Sequence, residues 1–368
     1  MILNQNLKEN INANERITLV QNQNLEQYGW NQNFEKQFEL FKAKGYEVGR
    51  VVIEHKHIYR VLTKAGEVLA EISGKMRFQS TGQGEFPAVG DWVVVSLRPE
   101  ENKATIHGVL PRKSKFSRKV AGRDVEEQII AANFDTVLIV SSLNNDFNVR
   151  RIERYLTMAW ESGGNPVIVL SKADLCDDIE ERVSQLDAIA VGVPICIISS
   201  LEGRGLDEIR KYLGFGKTVA ILGSSGVGKS TLINNLAGEE ILAVQAIRED
   251  DDEGRHTTTH RQLVVLKDGG LIIDTPGMRE FQIWEGSEGV QQTFGDIEEL
   301  AQQCKFNDCS HKNEPGCAVQ DAIENGSLAE SRFQSYLKLQ REIRFLENKK
   351  KKGVKGPHKM RGKSPTKR

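Results

Sequence analysis

The chain has 368 residues and a formal net charge of −1, but that figure is a cancellation: residues 349–368 hold eight Lys and two Arg and no acid, so the remainder sets 40 basic residues against 51 acidic ones, a net −11. The length suffices for two or three domains, and 39% hydrophobic with 27% charged residues is the composition of a water-soluble globular chain. No apolar run approaches the roughly 20 residues of a membrane span, the first twenty residues (MILNQNLKENINANERITLV) carry no targeting pattern, and five Cys exclude a disulfide framework, so a cytoplasmic protein with no membrane partner is expected.

In chain order, residues 1–24 are rich in Asn and Gln and read as a mobile arm. Leu25–Lys44 reads as an amphipathic helix using Phe34, Phe38 and Phe41. The arm and helix together make a segment 1–44. From Gly45 the texture becomes β: Val48–Ile53, Ile58–Leu62, Glu67–Ile72, Asp91–Leu97 and Ala104–Val109 are short strand-like runs separated by turn residues. Five strands in so short a stretch predict a small barrel of OB-fold type over 45–119. Basic residues gather around it, namely Lys75, Arg77, Arg112, Lys113, Lys115, Arg118 and Lys119. That excess is either a footprint for a phosphate backbone or the solvated face of a linker.

From Ile129 apolar strands alternate with amphipathic helices. The strands are Thr136–Val140, Pro166–Leu170, Pro194–Ile198, Thr218–Leu222, Leu263–Leu266 and Leu271–Ile273, and the helices include Val149–Ser162, Ile179–Ala190 and Gly205–Leu213. This alternation predicts a doubly wound α/β domain over 120–298. Its motifs follow the strands. Ser171-Lys172-Ala173-Asp174 fits the [N/T/S]-K-x-D pattern with which guanine-specific NTPases read their base: the Asp carboxylate accepts from the N1 and N2 donors of guanine, which adenine lacks, while the Lys stem covers the ring. Ser199-Ser200-Leu201 is a candidate backbone contact to the base oxygen.

Gly223-Ser224-Ser225-Gly226-Val227-Gly228-Lys229-Ser230 then completes G-x-x-x-x-G-K-[ST] between a strand and a helix that begins at Ser230-Thr231. Its glycines let backbone N–H groups converge on phosphate oxygens, Lys229 can reach the β- and γ-phosphates, and the Ser230 hydroxyl can hold Mg²⁺. Arg248–His260 is polar and acidic and reads as a mobile loop; a hydroxyl from Thr257–Thr259, with Thr258 the candidate, would complete the Mg²⁺ shell. Asp274-Thr275-Pro276-Gly277 ends the last strand: Asp274 is placed to hold Mg²⁺ and the Gly277 N–H to meet a γ-phosphate, although D-x-P-G is also ordinary turn chemistry. Conventional Ras-like GTPases carry these motifs with the phosphate loop first. Here the base-reading motif precedes it, which a circular permutation explains.

Downstream, Cys304, Cys309, His311 and Cys317 supply three thiolates and one imidazole within 14 residues. That is the ligand set of one structural Zn²⁺, with a nucleophilic Cys or free buried thiols as the competing readings. An amphipathic helix from Leu328 to Asn348 completes a metal module over 299–348, and a basic disordered tail of RNA-binding potential fills 349–368.

Small barrel, permuted GTPase and Cys₃His module, in that order, resemble the RsgA family of small-ribosomal-subunit biogenesis GTPases. The resemblance runs from about Leu25 to Asn348 and is carried by RKSKFSRKVAG (112–122), EQIIAANFD (127–135), GSSGVGKSTLIN (223–234), GRHTTTH (254–260), DTPGMREF (274–281) and the Cys₃His spacing. It implies a monomeric enzyme that hydrolyses GTP to GDP when stimulated by the small subunit, acts late in 30S maturation, and touches 16S rRNA through the OB-fold. Two positions depart from common patterns. Ser171 stands where Asn is commonest, and Met278 stands where Ras-like enzymes carry the Gln that positions water. The resemblance implies His256 as the catalytic substitute, alongside Lys229 and Thr258. An RNA-binding scaffold with structural nucleotide and a permuted GTPase for the large subunit are the alternatives.

Overall fold

Two asparagine caps begin the described chain. Asn24 accepts a hydrogen bond from the Glu26 N–H, opening a single 3₁₀ turn (Leu25–Tyr28), and Asn31 accepts from the N–H groups of Asn33 and Phe34, opening α1 (Gln32–Lys42). The single helix expected over 25–44 is thus broken, because Gly29 turns left-handed (φ 86°) between the two pieces. This computed structural model describes residues 24–119, 127–187, 189–242, 261–275 and 287–353.

Five strands follow: β1 (Glu47–His55), β2 (Ile58–Thr63), β3 (Gly66–Ile72), β4 (Trp92–Arg98) and β5 (Lys103–Val109). Their pairing closes a ring, β1–β2–β3–β5–β4 and back to β1, antiparallel except where β3 meets β5. This is the OB-type barrel that the alternating pattern predicted. Val51, Tyr59, Val61, Val93, Val95 and Ile106 fill its interior, and register shifts at Val51/Ile53 and Val94/Val95 bend the strands enough to close it. A short helix, α2 (Gly74–Gln79), lies between β3 and β4 and was not anticipated.

The chain then forms a hairpin of β6 (Lys115–Lys119) and β7 (Glu127–Ala132) before entering the large sheet. The expected barrel segment 45–119 includes no strand at residues 115–119, because their charges mask the buried Phe116, which stacks on Phe134 at 4.6 Å. The basic cluster there is correspondingly less available than expected. Arg112 pairs with the fully buried Asp91 at 2.7 Å, Lys113 with Asp135 at 2.6 Å and Lys115 with Glu127 at 2.9 Å. Arg112 thus ties this segment back to the barrel, Lys113 ties it to the chain entering the large sheet, and Lys115 bridges the β6–β7 hairpin itself.

The α/β sheet contains β8 (Thr136–Ser142), β9 (Asn165–Ser171), β10 (Ile195–Ile197), β11 (Thr218–Gly223), β12 (Gln262–Val265) and β13 (Leu271–Asp274). Strand order is β10-β9-β8-β11-β13-β12, parallel except for β12. Helices α3 (Val149–Glu161), α4 (Ile179–Asp187), α5 (Leu206–Arg210) and α6 (Lys229–Ala237) connect the strands. β8, β11 and β13 are buried along their whole length, as a sheet covered on both faces requires. Barrel and sheet meet at Ile53↔Gln262, where β1 pairs with the edge strand β12. Arg50 stitches the same junction. Fully buried over the Trp92 ring, it donates to the carbonyls of Tyr28, Gly90 and Asn133.

Four helices close the chain: α7 (Ser287–Thr293), α8 (Gly295–Gln302), α9 (Ala318–Glu324) and α10 (Glu330–Gly353). Val319, Phe333, Tyr336 and Leu339 from these helices join the same apolar core as Ile152, Tyr155 and Leu156 of α3. The last helix starts two residues later than expected and continues to Gly353, so Lys349–Lys352 are helical rather than part of a disordered tail. Lys is a good helix former, so the Lys run carries the helix on.

Candidate GTP site and metal centre

The central strand β11 delivers the phosphate loop to the carboxyl edge of the sheet, between β8 and β13. Gly223 lets that strand lie close to β8, since a Cβ there would stand 2.5 Å from the Val140 carbonyl oxygen. Gly228 adopts φ 95° at the N-cap of α6, a conformation that favours glycine and turns the chain into the helix. Lys229, the first residue of α6, folds back so that its Nζ donates to the carbonyls of Gly223 at 2.9 Å and Ser224 at 2.6 Å. Burial pushes the Lys229 amine down to about 8, against the opposing pull of Asp274.

Ser230 and Thr231 continue α6, while Asp274 is buried at the end of β13 opposite Ile221 of β11. Hydroxyl and carboxylate thus flank the phosphate loop from neighbouring elements, the oxygen donors a hard Mg²⁺ favours. Ser225, Gly226 and Val227 form the turn of the loop, with the Val227 side chain buried beneath it.

The base-reading motif sits beside this loop and is bonded to it. Ser171, at the end of β9, is 3% exposed, and its hydroxyl donates to the Val227 carbonyl at 2.7 Å. The departure from Asn at this position therefore keeps a polar tie between the two motifs. Lys172 turns left-handed (φ 58°), and Asp174 follows in a 3₁₀ turn. The Ser199 hydroxyl donates to Asp174 Oδ1 at 2.5 Å, and Asn235 of α6 donates to the Ser200 carbonyl at 2.5 Å. So Ser171, Lys172, Asp174, Ser199 and Ser200 converge with residues 223–231 and Asp274. His256, Thr258 and Gly277 lie outside the described residues, as does Met278.

Sequence reasoning missed the pair behind the loop. Asp146 and Arg151 both bond the Ser224 hydroxyl. Neither carries a motif, and their partner lies more than 70 residues away in the chain, so no local signal marks them.

Cys304 follows α8, Cys309 and His311 occupy the loop, and Cys317 caps α9, its Sγ accepting from the Gln320 N–H. The four donor atoms all lie within 4.8 Å of one another. His311 Nδ1 is 3.5 Å from both Cys304 Sγ and Cys317 Sγ, and those two sulfurs are 3.9 Å apart. The sulfur separation excludes a disulfide. With metal–ligand bonds of about 2.3 Å to sulfur and about 2.0 Å to nitrogen, tetrahedral edges come to ~3.8 and ~3.5 Å, so this donor set fits one ion. Glu314, unnoticed in the sequence, shapes the loop by accepting from Ser310, Lys312 and Asn313. Those bonds, the Ser310 hydroxyl's first, hold its carboxyl down at about 2. Cys196 is buried in one apolar cluster of the α/β domain and Cys176 is half-buried against another, both as free thiols.

Residues 109–284 match the family model described as RsgA GTPase. A protein from Lactiplantibacillus plantarum named small ribosomal subunit biogenesis GTPase RsgA 2 is 52% identical over 309 residues, which is 84% of this chain and 87% of that one. The chain belongs to the RsgA family. Among solved structures, that of YjeQ from Thermotoga maritima is 31% identical with a TM-score of 0.60, covering 81% of this chain and 98% of that one. The structure of YloQ, described as a circularly permuted GTPase, shares the fold: the TM-score is 0.56 at 24% identity, covering 85% of this chain and 97% of that one. In this chain the base-reading motif precedes the phosphate loop in sequence while the two lie side by side at one edge of the sheet.

Proposed function

We propose that this chain hydrolyses GTP in the maturation of the small ribosomal subunit, and that contact with the subunit and its 16S rRNA stimulates the hydrolysis. GTP hydrolysis and a place in small-subunit biogenesis follow from membership of the RsgA family. The observation that carries the guanine-specific site is the Ser171–Val227 bond, which ties the base-reading motif to the phosphate loop.

In this reading Asp174 accepts from the guanine N1 and N2 donors, held in place by Ser199, and Lys172 covers the ring. Ser199-Ser200 offers backbone to the base oxygen. Residues Gly223–Thr231 cradle the phosphates, and Lys229 exchanges its two carbonyl partners for phosphate oxygens. Mg²⁺ would be held by Ser230, Asp274 and Thr258, and would neutralise charge on the transferring phosphoryl group. Gly277 would meet the γ-phosphate, and His256 would orient the attacking water in the place of the missing Gln. The Cys₃His centre would hold one structural Zn²⁺, for which three thiolates and an imidazole are suitable donors. The rRNA contact is assigned to the barrel, where Lys75 and Arg77 on α2 are joined by Phe78, 91% exposed and free to stack on an unpaired base. No described helix is long and apolar enough to cross a membrane, and the chain is taken to act as a cytoplasmic monomer.

The test is GTP turnover with purified small subunits, large subunits and neither. Stimulation by the small subunit alone, abolished in Lys229→Ala and reduced in His256→Ala, is expected. Equal rates in all three conditions, or stimulation by the large subunit, would overturn the reading.

A further inference from the structure

Helix α3 is held at two points within its first two turns, by elements with different duties. At its start Asn148 caps the helix by accepting from the Arg151 N–H. The Arg151 guanidinium pairs with Asp146 at 2.7 Å, and its Nη1 donates to the Ser224 hydroxyl at 2.9 Å. That hydroxyl donates in turn to Asp146 Oδ2 at 2.9 Å. The second residue of the phosphate loop is therefore gripped by both members of one ion pair, and its carbonyl is one of the two that receive Lys229.

Two residues further on, Glu153 is 1% exposed. Its Oε1 accepts from Arg150 at 2.7 Å and from Arg332 of α10 at 2.7 Å, while Oε2 meets no donor among the described residues. Arg332 is itself 5% exposed. It also pairs with Asp296 of α8 at 2.8 Å, donates to the Thr293 carbonyl and lies over the Phe294 ring. Arg150 reaches Ser331, and Arg154 pairs with Glu342 at 2.9 Å, so the contact continues along α10. A buried carboxylate cannot lose its cation without leaving an uncompensated charge. Glu153 thus fixes the metal-bearing helices to the turn of α3 that adjoins the phosphate loop.

We propose that Asp146 and Arg151 are positioning residues for nucleotide binding, acting through Ser224, and that the Arg332–Glu153 contact makes their positioning depend on the docked C-terminal module. A subunit that grips the module would then alter nucleotide affinity through α3. This rests on the reading of residues 223–231 as the GTP site.

The experiment uses the full chain and a fluorescent GDP, with metal content and steady-state GTP hydrolysis measured on the same samples. Absence of binding to the unaltered chain would sink the GTP-site reading itself. With that binding in hand, Arg151→Met is expected to weaken GDP about fivefold and raise KM for GTP similarly, with kcat changed less than twofold. Arg332→Met is expected to weaken GDP by a similar factor while retaining one metal per chain. Because both changes act on one element, the double variant should lose clearly less than the product of the two factors. Unchanged GDP affinity in either single variant, or losses that simply multiply, would overturn the proposal. If Arg332→Met does not fold, Glu153→Gln combined with Arg332→Met removes the buried charge together with its partner and is read in the same way.

Discussion

Lys229 shows how a single residue links fold and chemistry. Its amine is buried against the two carbonyls at the start of the phosphate loop, which lowers it from the ordinary 10.5 to about 8. Between those values the unfolded chain holds a proton that the folded, nucleotide-free chain does not, so stability rises with pH across that window. Nucleotide binding has the opposite linkage. Phosphate charges favour the protonated amine, so above pH 8 binding must take up a proton. GDP affinity is expected to be level below about pH 8 and to fall by up to about tenfold per unit above it; titration calorimetry in two buffers of different ionisation enthalpy would measure the uptake. A flat affinity from pH 7 to 10 would contradict the burial of this amine. The motif was legible residue by residue because its chemistry is local. The partners that aim its neighbours were not: Ser171 finds its acceptor 56 residues away and Ser224 its carboxylate 78 residues away.

Among the elements, the metal loop is the one whose folding rests most on its ligands. Cys317 is both a donor to the cluster and the N-cap of α9, so one sulfur closes the metal site and satisfies a helix terminus. Replacement by Ser keeps a capping oxygen but removes the soft thiolate. Cys317→Ser is therefore expected to lose bound metal by atomic absorption and to expose the 304–317 loop to protease, while α/β cooperativity in urea is retained. A variant with its full complement of metal would refute the ligand role. The barrel strands β1–β5 begin or end within a residue or two of where alternation placed them, because a half-buried strand writes its period into the sequence. The first strand of the β6–β7 hairpin left no such trace: among its described side chains only Phe116 and Ser117 are buried, and the flanking charges fit a phosphate-backbone footprint or a linker face alike. Likewise the run of Lys after residue 348 reads as tail by composition, although its first residues extend α10.

Across the whole molecule, buried arginines reinforce an apolar core that runs from the N-terminal turn through the barrel and α/β domain to the C-terminal helices. Arg50 holds the N-terminal turn, the barrel and the α/β domain through three carbonyls, and its burial lowers the guanidinium to about 10. Arg50→Met would keep most of the volume and strand those three acceptors. A loss of about 3–5 kcal/mol in urea unfolding is expected, and a loss below about 1 kcal/mol would show that the junction is held by its apolar contacts instead.

The net charge of −1 conceals a body of −11 and a tail of +10, yet that segregation does not say which cations are free. Arg112, Lys113 and Lys115 were candidates for RNA and prove to be paired with Asp91, Asp135 and Glu127. By itself the sequence determined the order of units, the barrel strands, the permuted nucleotide motifs and the Cys₃His ligand set, because strand periodicity, phosphate cradling and metal ligation each demand particular residue types at short spacing. Only the tertiary structure decided which charges face one another. An ion pair such as Glu153 with Arg332 joins residues 179 positions apart, and a charged side chain carries the same letter whether it is solvated or buried against its partner.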